Sequence, residues 1–487
     1  MLLTMVSTVK KVSILSMNKV IKKLYLFAFV LLVALGYFLR VSNYAKVPPP
    51  NSGDEYSNAW LGLSLLQIGI PTAGTGFEPY TKPILAYINV DDFYHAANAA
   101  NPASIVSPWF DHPPLFGLVP GGYGYLKGVR NFADATTAIL RKPMVWLGTF
   151  NIVLLIVFAS LTLNKKIALV TAAIYATDPF IVLSSRMAQA ENLLITLYLL
   201  ALIAYYQLLK TNKNVYFWLA VSLSGVATLV KFSGWTIAIC LVMLTLTSDN
   251  RGKIIQSALI LGGTLLFFLL FPLYGYLYDW PLFAAVFFAN TGRFAREGIG
   301  LFNFLMLRQN ITKTFGSGWV ALGWISAAML PFLRKKDSFG LWIIVPMLSY
   351  LFVYLLLGSG EGYGWYKFPF LPFLTLAIGS VFVWTLENFN VVYDLLLVFL
   401  PGAMMLNRFV SIQNFTNNFL LYRLSVIALF LFIFGRIAFS ERRFVKPLYK
   451  LFIISIFVFL IVLNVYTNTK ITIDSWYNTN WLQSLSY

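Results

Sequence analysis

Runs of about 20 apolar residues recur along the chain, and they limit the possible folds more than any other feature of the sequence. A helix of that length crosses the hydrocarbon core of a bilayer, where each backbone N–H and C=O must be bonded within the segment. Of the 487 residues, 59% are hydrophobic and 11% are charged, which is far from the composition of a soluble domain. The sequence therefore predicts an all-α polytopic membrane protein.

Thirteen segments are apolar enough to predict membrane spans. They lie near residues 24–39, 144–163, 167–184, 191–209, 215–230, 232–247, 254–277, 317–333, 338–357, 366–386, 391–406, 419–437 and 451–467. The shortest of them suit re-entrant or tilted pieces as well, so we expect about 11–13 transmembrane helices.

The distribution of Lys and Arg predicts the orientation. Basic residues cluster in alternate short loops, which the positive-inside rule assigns to the cytoplasm together with the N-terminus. The long first loop, residues 40–143, and a second polar loop, residues 278–316, then lie outside. We expect a multi-pass protein of the plasma or inner membrane with surface helices in the first loop. Its three parts are residues 1–247, residues 248–467 and a short outer tail, residues 468–487.

The net charge of +18 does not indicate a nucleic-acid partner. The basic residues flank predicted spans and form no single stripe, so anionic lipid headgroups are the expected partner. Cys240 is the only cysteine, which excludes an intramolecular disulfide, and its apolar surroundings predict a small buried side chain.

The first candidate site is the acidic pair Asp54 and Glu55 in the first loop. It precedes an apolar stripe at helical spacing, which predicts an amphipathic helix on the membrane surface that ends at Gly69-Ile70-Pro71. Ser52 and Glu55 have the spacing of a capping box, and the helix dipole favours acids at this end. The alternative is that one carboxylate acts as a general base on an acceptor hydroxyl.

The second candidate is the turn that contains Asp111 and His112, followed by two prolines that restrict the backbone. An acid beside an imidazole on a rigid turn suits a divalent metal ion or a phosphate, but two adjacent ligands do not define a metal site. Asp91 and His95, four residues apart, form a rival cluster that also fits a solvated loop face.

Charged residues at span ends form the third candidate. Arg186 and Glu191 lie in a short outer turn, where they suit either an ion pair or contact with a lipid phosphate. Lys231 follows an apolar run, and its ammonium group suits either snorkelling to the headgroups or phosphate binding.

The fourth candidate is the Gly-rich and aromatic segment that contains Tyr363, Tyr366 and Lys367. Such a segment suits a membrane-interface belt or a platform for a sugar ring. The sequence has no Walker loop, dinucleotide fingerprint, zinc-protease helix or nucleophile elbow, so those classes are not indicated.

The ordered set of motifs resembles the GT-C superfamily of membrane glycosyltransferases, in particular the protein O-mannosyltransferases and the lipid A aminoarabinose transferases. The matching pieces are Gly53-Asp54-Glu55, His112-Pro113-Pro114-Leu115, Arg186 to Glu191, Gly225 to Lys231, and Tyr363 to Lys367. The resemblance covers residues 20–240 well and the remainder mainly by architecture. Two departures are a longer stretch between Glu55 and His112, and His112 itself where the aminoarabinose transferases have a lysine.

The resemblance implies inverting transfer of a hexosyl or pentosyl group from a polyprenyl-phosphate donor to a lipid, glycan or protein acceptor on the outer face. It makes Asp54 the catalytic base, with Glu55 beside it to orient the acceptor or the base. Arg186 and Lys231 would offset the charge of the donor phosphate. The candidate substrate-binding residues are Asp111, His112, Glu191, Tyr363, Tyr366 and Lys367, of which Asp111 and His112 are also the candidate metal ligands.

Two other functions fit a chain of this kind. A transporter or flippase of lipid-linked glycans places its polar residues near mid-bilayer on broken helices, whereas here they lie in outer loops and at span ends. An envelope polymerase or ligase also uses a lipid-linked donor, but we expect it to have a larger late outer loop.

Overall fold

The fold comes from a computed structural model. It describes residues 2–48, 53–75, 79–80, 104–248, 252–293, 318–333, 340–356, 364–403, 416–439, 442 and 444–471. The candidate Tyr363 and the rival metal cluster at Asp91 and His95 lie outside these residues, as do most of the predicted tail and part of the second outer loop.

The described helices are numbered in chain order. The N-terminal half contains α1 (Leu2–Val41), α2 (Gly53–Ile68), α3 (Pro120–Leu126), α4 (Thr137–Thr162), α5 (Lys165–Thr177), α6 (Pro179–Ser184), α7 (Ala190–Thr211), α8 (Asn214–Val230) and α9 (Trp235–Thr247). The C-terminal half contains α10 (Lys253–Phe268), α11 (Leu270–Tyr278), α12 (Trp280–Arg293), α13 (Gly318–Leu333), α14 (Leu341–Leu356), α15 (Leu371–Glu387), α16 (Val391–Leu397), α17 (Phe419–Ala438) and α18 (Val445–Lys470). Short 3-10 helices cover Pro114–Leu118, Phe132–Asp134, Phe232–Gly234 and Gly364–Phe370, and a π-helix covers Val398–Ala403.

Seven apolar helical segments among the described residues are long enough to cross a membrane, and six shorter apolar helices accompany them. All but one of the predicted spans correspond to one of these helices or segments. The prediction of an all-α polytopic membrane protein is therefore confirmed.

The exception is the predicted span 167–184, which is broken into α5 and α6 at Asp178. Pro179 lacks an N–H and disfavours a helical conformation in the residue before it, and Asp178 has ψ 121°. The Asp178 carboxylate accepts a hydrogen bond from the Phe180 N–H, 3.1 Å away. The carbonyls of Tyr175 and Ala176 therefore lack helical donors, and the buried Arg40 guanidinium of α1 donates to both.

The predicted first-loop helix is present as α2, and Gly69, with φ +72°, ends it in the left-handed conformation. Its burial differs from that of an amphipathic surface helix, because side chains are buried at nearly every position from Glu55 to Ser64. A methyl group on Gly62 would overlap the Gly117 carbonyl, so the 3-10 turn after His112 packs directly on α2.

The same loop contains two short antiparallel strands, β1 (Ala73–Thr75) and β2 (Ser104–Val106), which the sequence analysis missed. Three residues are too few to show the alternation by which a strand is predicted.

The two predicted outer loops contact each other. The Asn290 side chain on α12 donates a hydrogen bond to the Asp111 carbonyl, and the Tyr274 hydroxyl on α11 donates to the Trp109 carbonyl, 3.2 Å away. These contacts hold the turn at Asp111 between α2 and the later helices.

Candidate functional site

The two members of the acidic pair have opposite environments. Asp54 is exposed, whereas Glu55 is 2% exposed and forms a two-pronged ion pair with Arg141 of α4. The Arg141 Nη2 and Nε atoms lie 2.5 and 2.8 Å from the two Glu55 carboxylate oxygens. The Glu55 carboxylate thus takes part in a long-range ion pair, and Ser52, the other member of the predicted capping box, lies outside the described residues.

Arg141 also fixes the chain between α1 and α2. Its Nη1 atom donates to the carbonyls of Tyr44, at 3.1 Å, and Pro48, at 2.6 Å. A guanidinium that is completely enclosed needs such acceptors, because an unpaired buried charge is strongly unfavourable. Arg141 therefore joins three parts of the sequence: the exit from α1, the start of α2 and the start of α4.

The turn between α6 and α7, which the sequence predicts on the outer face, contacts the same carboxylate. The Ala188 N–H donates to the second Glu55 oxygen at 2.9 Å, and the Asn58 side-chain amide donates to the Ala188 carbonyl at 3.0 Å. Glu55 and Asn58 are three residues apart and so lie on one face of α2. Both backbone groups of Ala188 are thereby fixed against the first turn of the helix that presents Asp54.

Arg186 lies in this turn but faces inward. It is 2% exposed, and its guanidinium donates to the carbonyls of Val47, at 2.9 Å, and Leu39. Burial, and then the nearby charges of Arg40 and Arg141, lower the pKa of Arg186 to about 9. The Arg186 Nε has no hydrogen-bond partner among the described residues. The group thus lies in a buried cluster of three arginines.

Glu191 and Lys231 form the second ion pair, with 2.5 Å between Lys231 Nζ and Glu191 Oε1. Lys231 Nζ also lies over the Tyr366 ring, 4.3 Å from its centroid, in a cation–π contact. Lys231 is 13% exposed and Glu191 is fully buried, and the other Glu191 oxygen has no partner among the described residues. Lys367, next to Tyr366, is buried.

Asp111 is buried and both of its carboxylate oxygens accept hydroxyl hydrogen bonds, from Thr75 at 2.6 Å and Tyr80 at 2.9 Å. The His112 ring contacts Phe232 edge-on, 6.0 Å between centroids, and Phe232 directly follows Lys231. The described residues contain no group of three potential metal ligands, and a metal ion at Asp111 and His112 stays a prediction.

A continuous set of contacts therefore links most of the predicted residues. Ala188 in the turn 185–191 contacts Glu55 of α2, and Glu191 in the same turn pairs with Lys231. Phe232, the residue after Lys231, packs on His112. Sequence analysis missed Arg141, Asn58 and Arg40. Arg40 and Arg141 had a signal in the sequence, because both are cations at span ends predicted to be outside, where the positive-inside rule expects few.

Residues 111–276, about a third of the chain, match the family model described as dolichyl-phosphate-mannose-protein mannosyltransferase. No curated protein sequence matches the chain at a significant level.

Two solved structures are similar to this chain at low sequence identity. The archaeal oligosaccharyltransferase AglB from Archaeoglobus fulgidus, in complex with an inhibitory peptide and a dolichol-phosphate, is 13% identical with a TM-score of 0.51, over 92% of this chain and 56% of AglB. ArnT from Cupriavidus metallidurans, in the apo state, is 15% identical with a TM-score of 0.47, over 92% of this chain and 78% of ArnT. The chain spans little more than half the length of AglB.

The family-model match and the fold together confirm the resemblance to the GT-C superfamily. The chain is an all-α, polytopic integral membrane protein.

Proposed function

We propose that this protein is a membrane glycosyltransferase that moves a sugar from a polyprenyl-phosphate donor to an acceptor on the extracytoplasmic face, with Asp54 as the general base. The family match over residues 111–276 supports the class of reaction. AglB, whose fold the chain shares, binds a dolichol-phosphate, which supports the class of donor.

One observation carries the assignment of Asp54: the division of roles within the acidic pair. Both Glu55 carboxylate oxygens accept hydrogen bonds, from Arg141 and Ala188, and these bonds fix the side chain. Glu55 therefore acts as a positioning residue. Asp54 is the exposed member, on the first turn of the helix that this anchor holds. A base on an element that is fixed in this way keeps its geometry during reaction.

The Glu191–Lys231 pair is the proposed donor subsite. A buried carboxylate oxygen without a partner is unfavourable, and a sugar hydroxyl would satisfy the one on Glu191. The Lys231 ammonium group has further N–H donors for the phosphate, and the Tyr366 ring beside it offers an apolar face. We place the donor phosphate at Lys231 rather than at Arg186, because Arg186 already donates to two main-chain carbonyls.

The proposed reaction is a single displacement. Asp54 takes the proton of the acceptor hydroxyl, the acceptor oxygen bonds to the anomeric carbon, and the bond from that carbon to the phosphate oxygen breaks with its electron pair. The polyprenyl phosphate leaves with one more negative charge, which Lys231 stabilises. The sugar configuration inverts. No step uses a metal ion.

The test is transfer of radiolabelled sugar by the purified protein in liposomes that contain polyprenyl-phosphate sugars and a panel of acceptors. Asp54→Asn should reduce turnover by about 10²–10⁴-fold, the usual contribution of a general base. Asp134→Asn is the matched control, because Asp134 is another exposed aspartate of the first loop. Lys231→Met should raise the apparent KM for the donor.

Two outcomes would overturn the proposal. Asp54→Asn with near wild-type turnover removes Asp54 as the base. Movement of the lipid-linked sugar between leaflets without transfer, equal in wild type and Asp54→Asn, identifies a flippase.

A further inference from the structure

The 3-10 helix Gly364–Phe370 carries the Tyr366 ring of the proposed donor subsite, and its sequence removes one of its own hydrogen bonds. In a 3-10 helix the carbonyl of residue i accepts a hydrogen bond from the N–H of residue i+3. For Tyr366 that residue is Pro369, which has no N–H. The Tyr366 carbonyl therefore lacks this donor and is open to one from another element.

Helix α14 supplies a donor through Tyr350. The Tyr350 hydroxyl donates to the Tyr366 carbonyl at 2.8 Å, and the buried Tyr350 ring packs edge-on against Phe370, with 4.7 Å between centroids. Tyr354 is four residues later, on the same face of α14, and its ring contacts the Tyr366 ring at 6.5 Å. One face of α14 therefore holds both the main chain and the ring of Tyr366.

The position of Tyr366 in turn affects Lys231. Lys231 Nζ lies 4.3 Å from the centroid of the Tyr366 ring and 2.5 Å from Glu191 Oε1. Both attractions weaken with distance, so a shift of the ring would let the ammonium group move. These contacts run in one line from Tyr350 through Tyr366 to the ammonium group of Lys231.

We infer that Tyr350 is a positioning residue of the donor subsite: its hydroxyl fixes the 3-10 helix so that the Tyr366 ring keeps Lys231 Nζ in place for the donor phosphate. The inference rests on the proposed function, because it takes Lys231 as the ligand of that phosphate. Tyr350 acts through Tyr366 and does not touch the donor. Its loss should therefore weaken donor binding and leave the chemical step largely unchanged.

The experiment measures binding of polyprenyl phosphate, the leaving group of the proposed reaction, to the purified protein in detergent, together with the donor KM and kcat of transfer. Tyr350→Phe removes only the hydroxyl. It should raise the dissociation constant and the KM about fivefold, the usual effect of one neutral hydrogen bond, and change kcat by less than about twofold. Tyr205→Phe, which removes another buried hydroxyl, bonded to Thr245 at 3.0 Å, should bind as the wild type does.

A double variant tests whether Tyr350 acts through Tyr366. In the Tyr366→Leu background the ring is already absent, so adding Tyr350→Phe should weaken binding no further. A full additional loss in that background would mean that Tyr350 contacts the ligand or acts on the whole fold, and it would overturn the inference.

Failure of this inference is distinguishable from failure of the proposed function. A wild type that binds no polyprenyl phosphate overturns both. Binding that is weakened by Lys231→Met but unchanged by Tyr350→Phe overturns the positioning role alone. If Tyr350→Phe unfolds at a lower temperature than Tyr205→Phe, Tyr354→Leu takes its place, because it removes the ring contact with Tyr366. An additive loss of binding with Tyr366→Leu would then overturn the inference.

Discussion

The segment Trp365–Glu387 and helix α17 are almost equally apolar, with mean hydropathies of 1.8 and 2.0. In the most apolar 18-residue stretch of each, however, 89% of the residues are buried in the first and only 6% in the second. Two glycines show the difference. A methyl group on Gly379 of α15 would overlap Thr171 Oγ1 of α5, whereas one on Gly435 of α17 would meet nothing. Lipid tails and protein interiors are equally apolar, so hydropathy places a helix out of water without telling which of the two surrounds it.

The largest effect should come from the enclosed region, on removal of Arg141. Arg141→Met leaves the buried Glu55 carboxylate unpaired, which should destabilise the fold by about 3–5 kcal/mol. The measurement is the midpoint of thermal unfolding in detergent. Arg423→Met, which removes an exposed cation from α17, should change the stability by less than about 0.5 kcal/mol.

A double variant sharpens this prediction. The double variant Glu55→Gln/Arg141→Met should lose much less stability than the sum of the losses in the two single variants, because the double variant leaves no unpaired buried charge. Strict additivity would mean that the ion pair is not the cause.

The two glycines give the next largest contrast. Gly379→Leu forces a side chain into α5 and should cost about 3 kcal/mol, the upper part of the range for overpacking. Gly435→Leu should leave the unfolding midpoint unchanged or raise it slightly, because leucine is a better helix former than glycine. Similar losses in both variants would show that α17 is as tightly packed as α15.

Leucines test the same contrast by truncation. Leu199 of α7 is fully buried and Leu424 of α17 is 54% exposed. Leu199→Ala should cost about 2 kcal/mol through lost packing, and Leu424→Ala close to nothing. Equal unfolding midpoints for the two variants would contradict the difference in burial.

The smallest effect concerns the C-terminal end of α18, where side chains are buried, whereas most of its neighbour α17 is exposed. The Asn468 side chain donates to the Thr177 carbonyl at 2.7 Å, next to the break between α5 and α6. Asn468→Ala should cost about 1 kcal/mol, the net value of one such bond. Thr469→Ala, an exposed neighbour on the same helix, is the control, and a loss of equal size there would argue against a specific contact.

The sequence predicts where many of the site residues lie along the chain, but it does not predict which of them are buried. Asp54 and Glu55 are adjacent acids at the start of a helix, and nothing in the local sequence predicts that one is buried and the other exposed. Their difference arises because Arg141, 86 residues further on, forms a buried ion pair with Glu55. Likewise, Arg186 and Lys231 are both cations at span ends, but only Lys231 retains some exposure.

By itself, the sequence determined the membrane class, nearly all of the helices and the order of the site motifs, because apolar runs, Pro and Gly act locally on the backbone. Only the tertiary structure decided which apolar helices are enclosed and which acid is buried. Those properties depend on contacts between residues far apart in sequence, and a local pattern contains no information about which of them meet.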